Sequence, residues 1–169
     1  MAVDNRLRRR SGRAIAMPCS VSQIDQVFGR FPAGVFILSA AHEDARFGML
    51  ARWVQPCAIE PPMVMAAIER GNAIAPLIRD SRRFALCQIA PDDRQTIRRF
   101  SVHYEPEADP FVGALLLDRD QGPPVLASAM SYIDCQLARH VDIGGDHEIY
   151  VGLILEARIL GDEPPRTAA

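Results

Sequence analysis

The sequence predicts an antiparallel β-barrel of the all-β or α+β class with two or three short helices inserted, and three observations point to it. About six or seven apolar, β-rich runs recur along the 169 residues. They do not alternate with long helices, and no glycine-rich dinucleotide fingerprint accompanies them, so a βαβ arrangement is disfavoured. The last two runs, 127–143 and 147–160, are joined by Gly144, Gly145 and Asp146, which supply the positive φ angles of a tight hairpin.

Taken in order, Ser22 is a candidate N-cap for a short helix in which Ile24, Val27, Phe28 and Phe31 recur at helical spacing and which Pro32 ends. "AGVFILSAA" (33–41) reads as a strand, "HEDAR" as a polar turn, and "FGMLARWV" (47–54) as a second strand, together a hairpin. "MVMAAIE" (63–69) is a third strand. Asn72 can cap a helix over "AIAPLIRD", where Pro76 falls in the first turns and its missing N–H matters least. "RFALCQI" (83–89) is again a strand, and Asp92 can cap "DRQTIRRFS". Residues 102–124 carry four prolines and read as a long surface excursion. In the last run Ile149, Val151, Leu153 and Leu155 alternate with Tyr150, Gly152, Ile154 and Glu156. Such a strand is apolar on both faces, as expected in a closed or dimer-buried sheet.

Composition narrows the chemistry. All 19 basic side chains are arginine, so Schiff-base chemistry, a P-loop lysine and serine–lysine hydrolysis are excluded. Any phosphate or carboxylate recognition then falls to guanidinium groups or backbone N–H. A net charge of -2 gives no global pull toward nucleic acid or anionic membrane, and no run of 18 uncharged apolar residues suggests a membrane span. Cys19, Cys57, Cys87 and Cys135 are widely spaced without a C-x-x-C pair, which favours reduced, core-packed thiols and a cytoplasmic location over a zinc cluster. Residues 1–20 read as a disordered basic tail, with a transit peptide as the alternative, 21–161 as one domain, and 162–169 as a loose tail.

Few residues stand out as chemical groups. His42, His103 and His140 read as surface residues, whereas His147 follows a glycine turn at the mouth of the barrel, where loops place functional groups. A turn or capping role for Asp146 and His147 is the plainer alternative. Asp142, Asp146, His147 and Glu148 are the only potential metal ligands close together and they flank a turn, so no metal site is expected. No G-x-S-x-G elbow is present. "RFGMLARWVQPCAIEPP" (46–62) sets Arg52 directly before the single tryptophan, Trp53. An unpaired guanidinium is an expensive neighbour in a core, which suggests a ligand against this segment. Arg79, Arg82 and Arg83 form a cluster that could favour a 2′-phosphate, although a solvated face is the ordinary reading.

"FPAGVFILSA", "FGMLARWVQPCAIEPPMVMAAIERGNAIAPLIRDSRRFALCQIA", "GPPVLASAMSYIDCQL" and "GGDHEIYVGLILEARI" resemble, in order over residues 25–160, the flavin reductase-like FMN-binding split-barrel family. "MLARWVQPCAIEPP" is most similar to the version in flavin reductase modules fused to flavodiiron proteins. The resemblance implies a Greek-key split barrel, a homodimer with FMN at the subunit interface, and hydride transfer from NAD(P)H to flavin N5. FAD is the alternative flavin, and an electron-acceptor protein is an implied partner.

Carried over by position, Met49, Leu50, Ala51, Arg52 and Trp53 would line the isoalloxazine and ribityl chain. Arg70, Asn72 and Ala73 match the stretch approaching the phosphate, and His147 matches the "G-D-H" histidine near the ring, the one catalytic candidate. Arg52, Ala58 and Ala73 depart from the family's small polar or hydroxyl residues, and Arg52 would replace a lost contact with a charge-assisted one. Two other readings stand beside this one: a flavin-binding electron carrier or store without NAD(P)H activity, and a flavin-free dimeric interaction module.

Overall fold

The computed structural model describes residues 20–102 and 108–161. Cys19, His103, residues 1–19 of the expected 1–20 tail and the expected 162–169 tail lie outside the described residues. The chain divides into two units, residues 1–32 and 33–169.

In the first unit, helix α1 spans Val21–Phe28. Its cap is Ser20 rather than the expected Ser22. Ser20 Oγ accepts from the Gln23 N–H at 3.3 Å, and Gln23 Oε1 accepts from the Ser20 N–H at 2.9 Å. This reciprocal capping box needs Ser and Gln three positions apart, a spacing only Ser20 offers. The helix ends at Phe28 and passes through a turn before Pro32.

The second unit is a single antiparallel sheet of seven strands: β1 (Phe36–His42), β2 (Ala45–Ala51), β3 (Val54–Ile59), β4 (Pro62–Glu69), β5 (Arg83–Gln88), β6 (Ser131–Asp142) and β7 (His147–Ile159). Their order is β2-β1-β5-β6-β7-β4-β3. The two edge strands, β2 and β3, are consecutive in the chain and separated only by Arg52 and Trp53. Three Cα steps of about 3.8 Å hold Ala51 and Val54 within about 11 Å. The sheet must therefore roll until its edges meet, which makes a split barrel. The expected single strand over 47–54 is corrected to two strands, and a strand hidden in "VQPCAI" joins β4 in a hairpin through a cis Glu60–Pro61 peptide.

Helix α2 (Ile74–Ser81) follows β4. Asn72 Oδ1 accepts from the Ile74 N–H at 3.1 Å, while Ala73 holds the cap position. Helix α3 (Arg94–Phe100) is capped by Asp93, which accepts from the Thr96 N–H, and not by Asp92. The third residue after an N-cap presents that N–H, and Asp93 stands at the matching distance.

Alternation along the strands creates two cores. Leu38, Ala40, Phe84, Leu86 and Tyr150 fill the barrel, closed at one side by Ile74 and Ile78 of α2. Ile37, Ala85 and Cys87 point the other way, onto Phe100 of α3 and Phe111, Val125 and Leu126. The 102–124 excursion is thus no simple surface loop: Phe111 is buried, and Leu116 bridges Leu126. Two glycines mark close approaches. A Cβ on Gly48 would lie 2.6 Å from the Phe111 ring, and one on Gly152 would lie 2.5 Å from Phe84.

The excursion is tied down by charge as well. Buried Asp134 on β6 accepts from Arg83 at 2.7 Å and from Arg119, whose guanidinium also lies 5.2 Å from the Tyr132 ring centroid. Arg82 donates to the Leu137 carbonyl. Of the described cysteines Cys87 and Cys135 are buried as expected, but Cys57 is exposed, because β3 is an edge strand whose residues after Val54 are all exposed. Among the described residues, no helix is long and apolar enough to cross a membrane.

Candidate functional site

A cavity of about 700 Å³ is lined by β2 from Ala45 to Met49, by the Arg70–Ala73 connection, by α2 and by Glu148 of β7. Its size suits a small organic ligand. Three guanidinium groups, Arg46, Arg70 and Arg79, and one carboxylate, Glu148, belong to the lining. The balance favours an anionic ligand group.

Arg70 is placed by the sheet register. Glu69 ends β4 opposite His147, the first residue of β7, so the next residue meets the β6–β7 turn. The Arg70 N–H donates to the Asp146 carbonyl at 2.8 Å. Its guanidinium reaches Asp142 at 2.5 Å, Glu148 at 3.1 Å and the Gly145 carbonyl at 3.3 Å. Asp142 is held below the usual carboxylate range chiefly by the hydrogen bond from Arg70, then by the Gly144 N–H.

Glu148 is a buried carboxylate with three partners. His140 Nε2 lies 2.9 Å away, the Tyr150 hydroxyl donates at 3.2 Å, and Arg70 completes the set. The bond to His140 is the main cause of its lowered pKa, opposed by desolvation. Tyr150 is pushed up to about 12, first by burial and then by the Glu148 charge. The His140 ring stacks on Tyr150 with centroids 4.5 Å apart. His140 is near the surface as expected, but its ring is engaged.

Trp53 and His147 form a second feature, with ring centroids 4.6 Å apart and planes inclined by 40°. Successive strand residues face opposite sides. His147 and Glu148 therefore point away from each other, with Glu148 at the cavity and His147 on the outer face of β7. His147 Nδ1 is buried without a hydrogen bond, although Asp146 Oδ1 lies 3.1 Å away, outside hydrogen-bond geometry. That is a buried polar atom with unused capacity.

The residues singled out from sequence are distributed as follows. Met49, Arg70, Asn72 and Ala73 meet at the cavity. Ala51 is buried in the barrel core, and Leu50 packs with the second core. Arg52 is exposed, and Trp53 is half-exposed beside His147. Arg46 and Tyr150 were not singled out, whereas Arg79 read as part of an arginine cluster, His140 as a surface residue and Glu148 as an acid flanking a turn, none of them as a member of this site. A hairpin register would have paired His140 with Tyr150 and Asp142 with Glu148, but the turn alone does not fix it. Among the described residues no group of three or more His, Cys, Asp or Glu could hold a metal ion.

The family model for the flavin reductase like domain matches residues 28–168. The chain is 27% identical over 139 residues to diflavin flavoprotein A 1 of Synechocystis sp., covering 82% of this chain and 24% of that protein. It thus spans about a quarter of that relative's length. It is 28% identical over 144 residues to the reductase component of a 4-nitrophenol 4-monooxygenase/4-nitrocatechol 2-monooxygenase of Rhodococcus opacus, covering 85% of this chain and 75% of that one. Among solved structures, the Streptomyces globisporus C-1027 NADH:FAD oxidoreductase SgcE6 superposes with a TM-score of 0.77 at 24% identity, covering 88% of each chain, which supports the fold. With five-sixths of its residues inside the match and the split-barrel topology in place, this chain belongs to the flavin reductase like domain family.

Proposed function

We propose that the chain binds FMN and reduces it with NADH or NADPH, acting as a homodimer in the cytoplasm through its 21–161 domain. The observation that carries the reading is the meeting of Met49 on β2 with Arg70, Asn72 and Ala73 of the β4–α2 connection at one arginine-rich cavity in a chain of this family.

The residues present fit a flat ligand with a phosphate. The cavity is about 700 Å³ and its guanidinium groups offer charge-assisted donors. In this reading Arg70 holds the phosphate, Asn72 fixes the backbone beside it by capping Ile74, and Met49 gives an apolar wall. Trp53 supplies a flat surface, Arg52 an anion-facing donor, and His147 a polar group near the ring. Bound flavin supplies the hydride-accepting chemistry, so the protein needs orientation and electrostatics more than acid–base groups. The apolar outer face of β7, with Ile149, Val151, Leu153 and the half-exposed Leu155, supports a second copy covering the Trp53–His147 side. The Rhodococcus relative is named as a reductase component, which supports a separate protein as the electron acceptor.

Titration with FMN and FAD, followed by visible absorbance, tests flavin binding and the preference between the two. We expect saturable uptake of FMN, followed by oxidation of NADH or NADPH that depends on added flavin. A protein that takes up no flavin contradicts the reading. One that binds flavin but never oxidises either nucleotide is a carrier or store.

A further inference from the structure

We infer that Glu148 and His140 are positioning residues that set how strongly Arg70 holds a phosphate in the cavity, an inference that rests on the cavity being the flavin site. The Arg70 guanidinium is already engaged by two carboxylates, Asp142 and Glu148. A phosphate entering the cavity must compete with both. Counting formal charges, Arg70 and its two carboxylates carry a net single negative charge, which Arg46 and Arg79 elsewhere in the cavity lining outweigh without relieving the competition at Arg70 itself.

His140 changes that count. Its ring is 2.9 Å from Glu148 and lies outside the Arg70–Asp142 pair. When protonated, it brings the cluster to neutrality and draws Glu148 Oε2 into a charge-assisted bond, which loosens the hold of Glu148 on Arg70. The other groups facing this cluster do not offset the effect. From β7, Tyr150 stays neutral because burial pushes it up to about 12. From α2, the charge of Arg79 acts on Tyr150, and from β6, Asp142 remains bound to Arg70. Asp146 is exposed on the outer face, its Oδ1 3.1 Å from His147 Nδ1. Arg139 precedes His140 on the alternate face and donates to the Ala138 carbonyl.

The sign follows directly. Protonating His140 favours phosphate at Arg70, so affinity for a phosphorylated flavin rises, relative to an unphosphorylated one, as pH falls. The second ionisation of the ligand's own phosphate, near pH 6, acts in the opposite direction but is common to every variant. Comparison between variants removes it.

The test measures dissociation constants for FMN and riboflavin by flavin fluorescence at pH 6 and pH 8, in the full chain, His140→Gln and Glu148→Gln. We expect the preference for FMN over riboflavin to rise from pH 8 to pH 6 by about fivefold more in the native protein than in His140→Gln. Glu148→Gln should bind FMN more tightly relative to riboflavin at pH 8 and lose the part of the pH dependence that His140 contributes, keeping the part that belongs to the phosphate. Proton NMR of the native protein gives a second readout that needs no variant: FMN, but not riboflavin, should raise the titration midpoint of His140 by linkage. Equal pH profiles in all three proteins, an unmoved His140 midpoint, or parallel loss of riboflavin binding would overturn the inference and leave the flavin reading standing. Failure of the native protein to bind FMN at all would overturn both.

Discussion

Trp53 packs against His147 with ring centroids 4.6 Å apart and planes tilted by 40°, although 94 positions separate them in the sequence, because the link between the two edge strands passes the start of β7. One ring comes from the joint that closes the barrel, the other from the hairpin turn. The structural joint and the proposed flavin wall therefore involve the same two residues. Arg52 precedes Trp53 because the link is exposed and a guanidinium there keeps its hydration. The tension between a charge and an aromatic neighbour disappears once neither is in the core.

Trp53 is the only tryptophan, so its fluorescence reports on this joint alone. We expect FMN to quench it, and Trp53→Ala to weaken FMN binding by about tenfold, the scale of one aromatic contact. Trp53→Phe should keep most of the affinity. Isothermal titration of the three proteins checks the order.

Arg52→Ala should weaken FMN binding by about threefold to tenfold and leave riboflavin binding unchanged, as for an exposed charge-assisted contact with an anion. Equal losses for both ligands would show that the residue acts through the barrel joint instead.

Gly152→Ala places a methyl 2.5 Å from Phe84 and 2.6 Å from Cys135 inside the barrel. Overpacking of this kind costs about 1–3 kcal/mol. Urea unfolding should give a lower midpoint with an unchanged slope.

Much of the barrel was legible because its strands are short runs of aliphatic residues bounded by turns. β1, β4, β5 and the β6–β7 hairpin stand where "FILSA", "MVMAAIE", "RFALCQ" and the Gly-Gly-Asp joint put them. The break at Arg52–Trp53 was not legible, since "FGMLARWV" is continuous in composition and only closure of the sheet requires a bend there. The buried Phe111, Val125 and Leu126 sit among prolines and show no periodicity. The caps were displaced by one or two residues because neighbouring Ser and Asp residues compete for the same N–H groups. At the cavity, Arg70, Asn72 and Ala73 came from family resemblance. The Arg70–Glu148–His140 cluster depends on strand register, which no local pattern records.

Asp134 is fully buried and bound by Arg83 and Arg119, so removing one guanidinium leaves a poorly compensated charge. Arg119→Ala should destabilise the fold by about 3–5 kcal/mol. Thermal unfolding by circular dichroism, with Arg46→Ala as an exposed comparison, provides the check.

Glu148 has a folded-state pKa below its usual 4.5, caused first by the bond to His140. A depressed carboxyl stabilises the fold fully above its unfolded pKa, and that contribution is lost as pH falls through the folded value. Between neutral pH and pH 5 stability should owe little change to this group. Below about 4.5 the native protein should lose stability more steeply than Glu148→Gln, as chemical denaturation across this range would register.

The central claim is flavin reduction by a nicotinamide at this site, and anaerobic stopped-flow mixing of the FMN-loaded protein with NADH or NADPH tests it most directly. The account expects the absorbance of oxidised flavin at about 450 nm to bleach in a single phase whose rate saturates with one of the two nucleotides, and to bleach more slowly in Trp53→Ala. Flavin that stays yellow with both nucleotides, or bleaches at the rate of free FMN, would contradict it.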